Sequence, residues 1–263
     1  GWGDNTYGQG SGLPGLSNVI AIASGGNHNL ALRGDGTVAA WGYNFSGENN
    51  VPAGLTNAIA IAAGGGHSLA LKSDGTVLGW GRNVYGQLNI PPGLRDVVAI
   101  AAGNEHSLAL QSDGAVVGWG GNYSGEAGSP GDLGNVVAIS AGGSHSMALR
   151  SDGTVRIWGN NAYNGAAQPV ALVGAVAIAA GYHHNVALRN DGTVFAWGAD
   201  GLNRTNVPPG LSSVVAIAAG DTFSLAVRAR SAEPAITVQP FSRTANDGSD
   251  VTLTVLAAGN GTL

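Results

Sequence analysis

Five of the six histidines recur at a constant interval of 39 residues, at His28, His67, His106, His145 and His184. One histidine per repeating unit could place a ring of metal or anion ligands around a symmetric centre. Zinc, however, needs its ligands within about 2.0–2.1 Å of one ion, and histidines on separate units are poorly placed to share one. Phe223 fills the sixth place in the series, which favours packing over ligation. We therefore expect each imidazole to bridge backbone groups where two strands meet a loop.

Aspartates recur at the same interval, and they do not indicate a metal site or a catalytic site either. Each Asp-Gly pair contains one of Asp35, Asp74, Asp113, Asp152 and Asp191. A calcium loop needs several closely spaced oxygen ligands, so one aspartate per unit indicates a turn. The acids outside the interval include Glu105, Asp132, Asp200 and Asp221, which fall on different units and do not form the carboxylate pair of a hydrolase. The sequence therefore predicts a protein that is not an enzyme and that uses no cofactor and no metal.

The tryptophans show the repeat most clearly, with an unbroken step of 39 residues between Trp2, Trp41, Trp80, Trp119, Trp158 and Trp197. Each unit contains an apolar run, a second run after the histidine, an Asp-Gly turn, and a third run that ends in Trp-Gly. Short apolar runs bounded by Gly and Asp-Gly are typical of strands and hairpins. We expect three strands per unit and a short fourth strand near the Gly-Gln or Gly-Glu segment.

Repeats of this length with several strands predict an all-β fold, a six-bladed β-propeller over residues 1–228. Residues 1–3 contain a Trp strand with nothing before it, and residues 214–227 contain two strands with no Trp strand after them. Together these two segments would complete one blade and close the ring. A seven-bladed propeller, with one more unit upstream, is the alternative.

Residues 229–263 leave the repeat register. They are predicted to be a linker followed by a short β tail, in which Val251-Thr-Leu-Thr-Val255 alternates as a half-buried strand does. This tail resembles the opening strands of bacterial immunoglobulin-like domains. We expect the domain to be incomplete here and to continue in a longer protein.

Composition excludes several classes of partner. Only 10% of the residues are charged and the net charge is −5, whereas an average soluble protein has about 25% charged residues. A protein that grips nucleic acid needs a basic face, and no basic cluster is visible. The longest apolar stretch, residues 170–180, is shorter than the roughly 20 residues of a membrane helix. We expect neither nucleic-acid binding nor membrane insertion.

The repeat resembles that of the regulator of chromosome condensation family. The motif Ala-Gly-x-x-His-Ser-Leu-Ala-Leu at residues 102–110 and Asp-Gly-x-Val-x-x-Trp-Gly-x-Asn-x-x-Gly-Gln at residues 74–87 carry the resemblance. Family members are typically seven-bladed propellers. The short units with Val-Pro and Ile-Pro-Pro-Gly-Leu connectors are most similar to bacterial secreted members, one of which inhibits β-lactamases through aromatic residues just before the histidine slot. The matching positions here hold no Phe, Tyr or Trp: Asn27, Gly66, Glu105, Ser144, His183 and Thr222.

Two variable slots supply the candidate binding residues. The loop after Trp-Gly has an aromatic residue in five of six units: Tyr7, Phe45, Tyr85, Tyr123 and Tyr163. The pair before the histidine slot contributes Glu105, Tyr182, His183 and Asp221. Loops on a rigid scaffold are frequent binding sites, although the aromatics could equally pack on the neighbouring blade.

The sequence thus favours a non-catalytic extracellular binding or adhesion module of a larger secreted or cell-surface bacterial protein. Its expected partner is a protein or a glycan, and further domains of the same chain are possible neighbours. An enzyme inhibitor of the β-lactamase-inhibitor propeller type and a structural spacer are the alternatives.

Overall fold

The computed structural model describes residues 3–161 and 165–229, and the backbone of residues 244–245. Trp2, Tyr163 and nearly all of the predicted tail lie outside the described residues. Within the described ranges the chain forms strands and turns only. Accordingly, none of these residues belongs to a helix long and apolar enough to cross a membrane.

The strands occur in three series that follow the repeat. The first strand of each unit is the Ala-rich run: β1 (Val19–Ser24), β4 (Ala58–Ala63), β7 (Val97–Ala102), β10 (Val136–Ala141), β13 (Ala175–Ala180) and β16 (Val214–Gly220). The second begins at or just after the histidine slot: β2 (His28–Arg33), β5 (His67–Lys72), β8 (His106–Gln111), β11 (His145–Arg150), β14 (His184–Arg189) and β17 (Ser224–Arg228). The third ends in Trp-Gly: β3 (Val38–Gly42), β6 (Val77–Gly81), β9 (Val116–Gly120), β12 (Val155–Gly159) and β15 (Val194–Gly198).

Each set of consecutive strands forms one antiparallel sheet, which we number blades 1 to 5. Blade 6 consists of β16 and β17, and the two-residue strand β18 (Thr244–Ala245) pairs in parallel with the end of β16. First strands of successive blades contact one another, so they lie nearest the central axis. The all-β prediction and the roughly six-bladed propeller are confirmed.

The predicted short fourth strand is wrong for the described blades, because each sheet is ordered through three strands only. The Gly-Gln or Gly-Glu segment forms consecutive turns instead. In blade 2, Gly86 has a φ of +83° and its neighbour Gln87 accepts the amide of Tyr85 through its own side chain at 2.8 Å. Since that side chain is fully buried, the loop is fixed by internal hydrogen bonds and not by a strand ladder.

The Asp-Gly turns have the structure that the sequence predicts. In blade 2 the Oδ1 atom of Asp74 accepts hydrogen bonds from the amide and the hydroxyl of Thr76, at 3.0 and 2.6 Å. These bonds, led by that from the Thr76 hydroxyl and joined by one from Lys72, hold the pKa of Asp74 well below its usual value. The aspartates therefore act within their own turns.

The core lies between blades and is built around the tryptophans. Trp80 of blade 2 packs with Leu30 and Leu32 of blade 1, and Trp119 of blade 3 packs with Leu69 and Leu71 of blade 2. The side chains of both tryptophans are nearly fully buried. Because an aromatic ring buries about 150–250 Å², each tryptophan contributes much of the apolar contact between one blade and the previous one.

Near the central axis, backbone hydrogen bonds link successive blades. Gly26 donates to the carbonyl oxygen of Gly64 at 3.0 Å, and Gly65 donates to that of Gly103 at 3.2 Å. A Cβ atom at Gly64 would collide with the carbonyl oxygen of Gly103 and with the ring of His67. The glycine of the Ala-Gly-x-x-His motif is therefore required by close approach between blades.

The closure of the ring is described only in part. β18 contacts both β16 and β1, and so lies between the last blade and the first. The predicted closing strand contains Trp2, which lies outside the described residues.

Candidate functional site

The recurring histidines are structural links between blades. The Nε2 atoms of His28, His67, His106 and His184 lie 2.9 Å from a serine Oγ of the next blade, and the Nε2 of His145 lies 2.7 Å from Oδ1 of Asn185. The partner is a side chain of the adjacent second strand. The predicted bridge to backbone groups is thus wrong for the Nε2 atoms, which bond side chains, although His184 also has a hydrogen bond to the backbone of Phe223.

The serine hydroxyl fixes the tautomer of the imidazole. Ser107, which faces His67, donates its own proton to the carbonyl oxygen of Gln87 at 3.0 Å. It must therefore accept from His67, so Nε2 of His67 carries the proton. The indole Nε1 of Trp119 donates to the same carbonyl oxygen at 2.7 Å. One backbone acceptor thus joins the Ser and Trp of one blade to the His of the previous blade.

Burial keeps these imidazoles neutral. It lowers the pKa of His28, His145 and His184 to about 4 and that of His67 and His106 to about 3. Nε2 is already committed as a donor, and the ring packs against the glycine that precedes it in the motif. No group of three or more His, Asp or Glu side chains in the described part of the chain is placed to hold a metal ion.

The two variable slots lie side by side at one end of the blades, which we call the loop face. The residue after each Trp-Gly donates its amide to the carbonyl oxygen of the residue before the histidine, as Arg82 does to Gly66 at 2.8 Å and Gly121 does to Glu105 at 2.7 Å. The Asp-Gly turns join the opposite ends of the same strands. The candidate residues of both slots therefore share one face.

Four of the predicted aromatic residues lie on this face in two clusters. Tyr7 meets Tyr43 edge-on with ring centroids 4.8 Å apart, and Tyr43 stacks on Phe45 at 6.3 Å. Tyr85 meets Tyr123 edge-on at 5.8 Å. We call these five residues the aromatic rim: Tyr7, Tyr43, Phe45, Tyr85 and Tyr123. Tyr163, the fifth predicted residue, lies outside the described residues.

The rim is exposed at its tips. Phe45 is 86% exposed, Tyr123 is 74% exposed and Tyr7 is 49% exposed, whereas Tyr85 is half-buried. Packing on the neighbouring blade, the alternative role for these aromatics, therefore leaves most of the Phe45 and Tyr123 rings in solvent. Apolar rings held at loop tips by a rigid scaffold are suited to protein contacts.

The residues of the second slot converge towards the channel mouth. Tyr182 packs over Gly143 and lines the small opening of the channel with the glycines of the other blades. Its ring meets that of His183 edge-on at 4.6 Å. Partial burial, and then the charges of Asp221 and Glu105, raise the pKa of Tyr182. These four residues, Glu105, Tyr182, His183 and Asp221, form what we call the channel-mouth arc.

Arg82 connects the rim to the arc. Its guanidinium lies 5.1 Å from the centre of the Tyr85 ring, and its Nη1 atom lies 3.8 Å from Oε1 of Glu105 on the next blade. Slight desolvation at the base of its ring, the neighbouring Tyr85 and the charges of Glu105 and Glu126 also raise the pKa of the largely exposed Tyr123. A continuous strip of contacts therefore runs from Tyr123 and Tyr85 through Arg82 to Glu105.

Sequence reasoning missed three residues of this face: Tyr43, Arg82 and Arg204. Tyr43 and Arg82 both occupy the position directly after Trp-Gly, where four of six units have a small or polar residue. Arg204 replaces the Gln or Glu of the loop and donates to the carbonyl oxygen of Asp221 at 3.3 Å. Their departure from the repeat was a signal that could have identified them.

Comparison with solved structures finds the same fold in eukaryotic proteins. Prp20p of Saccharomyces cerevisiae is 23% identical, with 81% of this chain and 69% of that chain covered at a TM-score of 0.69. The ectodomain of the Physcomitrella patens receptor kinase CR4 is 24% identical, with 89% and 64% covered at 0.71. The ectodomain of the Arabidopsis thaliana receptor kinase ACR4 is 23% identical, with 83% and 78% covered at 0.67. No curated protein matches the chain significantly.

The family is shown by the repeats themselves. The model of the regulator of chromosome condensation (RCC1) repeat matches residues 19–48, 58–87, 97–126, 136–164 and 175–203. Each match begins at a first strand and runs past the Trp-Gly loop of one blade, and together the matches cover more than half of the chain. The chain belongs to the regulator of chromosome condensation (RCC1) repeat family.

Proposed function

We propose that this propeller is a non-catalytic binding module whose loop face engages a protein partner. The exposure of Phe45 and Tyr123 at loop tips carries the proposal. The loops themselves are fixed by internal hydrogen bonds, such as those from Tyr85 to Gln87 and from Ser124 to Glu126. Aromatic residues and arginine are enriched among the residues that dominate binding energy. Arg82 lies on the same face, between the ring of Tyr85 and the carboxylate of Glu105.

Solved relatives support protein binding as the class of function. Prp20p of Saccharomyces cerevisiae binds Gsp1p and histones, and a second structure has Kap60 bound to yeast RCC1. Gsp1p, histones and Kap60 are partners of the yeast protein. For this chain, a net charge of −5 disfavours a role on nucleic acid, so we propose a protein surface as the partner and a glycan as the second choice.

We further propose that the module is extracellular and part of a larger secreted or surface protein. The bacterial secreted type of repeat and the immunoglobulin-like pattern after residue 233 motivate this proposal. Two of the structures with the same fold are receptor-kinase ectodomains, so the fold is compatible with that location. Fractionation of the source cells with an antibody against the chain would test it, and a purely cytoplasmic signal would refute it.

A loop-face variant tests the binding proposal. Truncation of both exposed rings, Phe45→Ala with Tyr123→Ala, should weaken capture of a cross-linked partner from extracellular material at least about tenfold, as expected for loss of one or two anchor residues. The matched control is Ser112→Ala with Ser151→Ala, two exposed changes on the opposite face. Equal loss in both variants, or no loss in the first, would contradict the assignment of the loop face.

An inhibitor of the β-lactamase-inhibitor propeller type remains the alternative. It is favoured by the ring of loops before the histidine slots, which surrounds the channel mouth. Against it, the described residues in these slots are polar or small at the positions where that resemblance requires aromatics. Titration of β-lactamase with the purified chain decides between them: stoichiometric inhibition would favour the inhibitor. Absence of any specific partner in either assay would favour the structural spacer.

A further inference from the structure

An aromatic ring and a glutamate occur together in two loops of the loop face. Phe45 is followed three residues later by Glu48, and Tyr123 is followed three residues later by Glu126, at the same places in the repeat. The other four units have neither residue type at these two places. Their pairs are Thr6 with Gln9, Val84 with Gln87, Ala162 with Gly165, and Gly201 with Arg204.

The negative charge of the two glutamates is not needed to hold their loops. Oε2 of Glu48 accepts the amide of Ser46 at 2.9 Å, and Oε2 of Glu126 accepts that of Ser124 at 2.7 Å. In blade 2 the neutral Gln87 accepts the equivalent amide at 2.8 Å. Both glutamates are buried, and a buried charge costs more to desolvate than a neutral amide. The two carboxylates therefore indicate a role outside the loop.

The rings that accompany these carboxylates are the most exposed members of the aromatic rim. Phe45 is 86% exposed and Tyr123 is 74% exposed. The amide of Tyr123 lies 3.3 Å from Oε1 of Glu126, so the carboxylate is at the base of this ring. The loops themselves, residues 43–57 and 121–135, contain no basic residue. Each ring is thus presented to solvent beside a negative charge that its own loop does not neutralise.

Blade 2 shows what such a group accommodates. There the chain supplies its own cation, because the guanidinium of Arg82 lies 5.1 Å from the centre of the Tyr85 ring and 3.8 Å from the carboxylate of Glu105. A planar guanidinium can stack on an aromatic face and pair with a carboxylate at the same time. Phe45 and Tyr123 have the ring and the carboxylate of this arrangement without the arginine.

The charge of the whole loop face has the matching sign. Among the described residues this face has two basic side chains, Arg82 and Arg204. The opposite face has seven basic and seven acidic side chains, some of them in ion pairs such as Lys72 with Asp74 at 2.9 Å. Most of the net negative charge therefore lies on the loop face. Its six acidic residues are Asp4, Glu48, Glu105, Glu126, Asp200 and Asp221.

We propose that the partner of the loop face is a cationic protein segment whose arginine side chains stack on Phe45 and Tyr123, beside the carboxylates of Glu48 and Glu126. This inference rests on the proposed function and names the chemistry of its partner. The negative face attracts the segment and fixes its orientation, and the two rings select arginine over lysine.

Binding of short labelled peptides to the purified chain tests the proposal. The probes are a peptide of arginine, glycine and serine, and two matched peptides with lysine or glutamate in place of arginine. We expect the arginine peptide to bind at about 50 mM salt and to weaken as salt rises, because added ions screen the charges. The lysine peptide should bind several-fold more weakly. Stronger binding of the glutamate peptide would overturn the proposal.

Two pairs of charge variants separate the site from general attraction. Glu48→Gln with Glu126→Gln should lower the affinity for the arginine peptide about tenfold, while the amide oxygens keep the loop bonds as Gln87 does. The control, Asp113→Asn with Asp191→Asn, removes two charges from exposed turns of the opposite face and should change the affinity less than about twofold. Equal losses in the two variants would overturn the proposal.

Substitution of the rings gives a second readout at exposed positions. Phe45→Leu with Tyr123→Leu should lower the affinity for the arginine peptide about three- to tenfold, as expected for the loss of two cation–π contacts. Tyr123→Phe keeps the ring and should bind like the unmodified chain. An undiminished affinity in the leucine variant would overturn the proposal.

Failure of this inference can be distinguished from failure of the proposed function. Suppose that the arginine peptide does not bind, while Phe45→Ala with Tyr123→Ala still loses the partner captured from extracellular material. That result would overturn the cationic partner and leave the loop face as a binding surface.

Discussion

Serine and tryptophan recur together in this chain because they share one acceptor. The carbonyl oxygen of Gln87 accepts from Ser107 and from Trp119, and Ser107 in turn accepts from His67. The side chains of His67, Ser107 and Trp119 are all buried. A buried polar group that loses its partner costs free energy, so a substitution at any one position leaves the others unsatisfied.

Removal of the central hydroxyl tests this dependence. Ser107→Ala leaves the Nε2–H of His67 without an acceptor, and we expect the free energy of unfolding to fall by about 1–3 kcal/mol. Urea unfolding followed by Trp fluorescence would measure it. Ser112→Ala, an exposed change in the turn of the same blade, serves as the control. A loss of less than 0.5 kcal/mol (roughly the scatter of surface substitutions) in Ser107→Ala would show that the link is energetically unimportant.

At the scale of the element, glycines decide how closely the blades approach. A Cβ atom at Gly103 would collide with the ring of His106 and with the carbonyl oxygen of Gly142 on the next blade. The loop glycine Gly134, in contrast, has no atom within 4 Å of the place where its Cβ would lie. Neither glycine has a positive φ, so space, not backbone conformation, distinguishes the two sites.

The two glycines make a matched pair of substitutions. Gly103→Ala should destabilise the protein by several kcal/mol, about 2–4, because the methyl group must displace backbone or a fully packed imidazole. Gly134→Ala should be neutral or stabilising by about 0.4–1 kcal/mol, because it restricts the unfolded chain. Thermal unfolding of both variants measures the difference. Similar Tm values would contradict the close-approach argument.

At the scale of the whole molecule, five buried neutral histidines couple stability to pH. Their pKa is about 3–4 in the folded state and about 6.5 when unfolded. Below pH 6.5 the unfolded chain therefore binds more protons than the folded chain. The stability is fully present above pH 6.5 and is lost as pH falls towards 4. The turn aspartates, whose pKa is lowered, act in a separate window below about pH 4.

The protein should therefore become less stable as the pH falls below 6.5. Each histidine can contribute up to about 1.4 kcal/mol per pH unit between pH 6.5 and its folded pKa, so urea midpoints should fall steeply from pH 7.5 to pH 5. His67→Phe introduces the residue that blade 6 has at Phe223, and should make the dependence shallower by one proton. Urea midpoints that do not change between pH 7.5 and pH 5 would contradict the neutral assignment.

The sequence predicted the architecture well, because a 39-residue step forces chemically equivalent residues into equivalent places. It also singled out Glu105, Tyr182 and Asp221, which lie on the loop face, because they break an otherwise regular pattern; their role in binding stays a prediction. It misjudged the fourth strand, because a Gly-Gln turn and a short strand differ only in where the buried Gln87 side chain bonds. It did not predict the contact of Arg82 with Glu105, since the two residues lie on different blades.

The sequence by itself thus determined the repeat, the family that the repeat resembles and the order of the three strands in each blade. Only the tertiary structure decided what the histidines do: their Nε2–H groups meet a serine or an asparagine 40 residues further along the chain, at a distance set by how two blades pack. The same packing brings the aromatic rim and the channel-mouth arc onto one face. Spacing along a chain fixes which residues are equivalent, but contact between different units depends on the curvature of the ring.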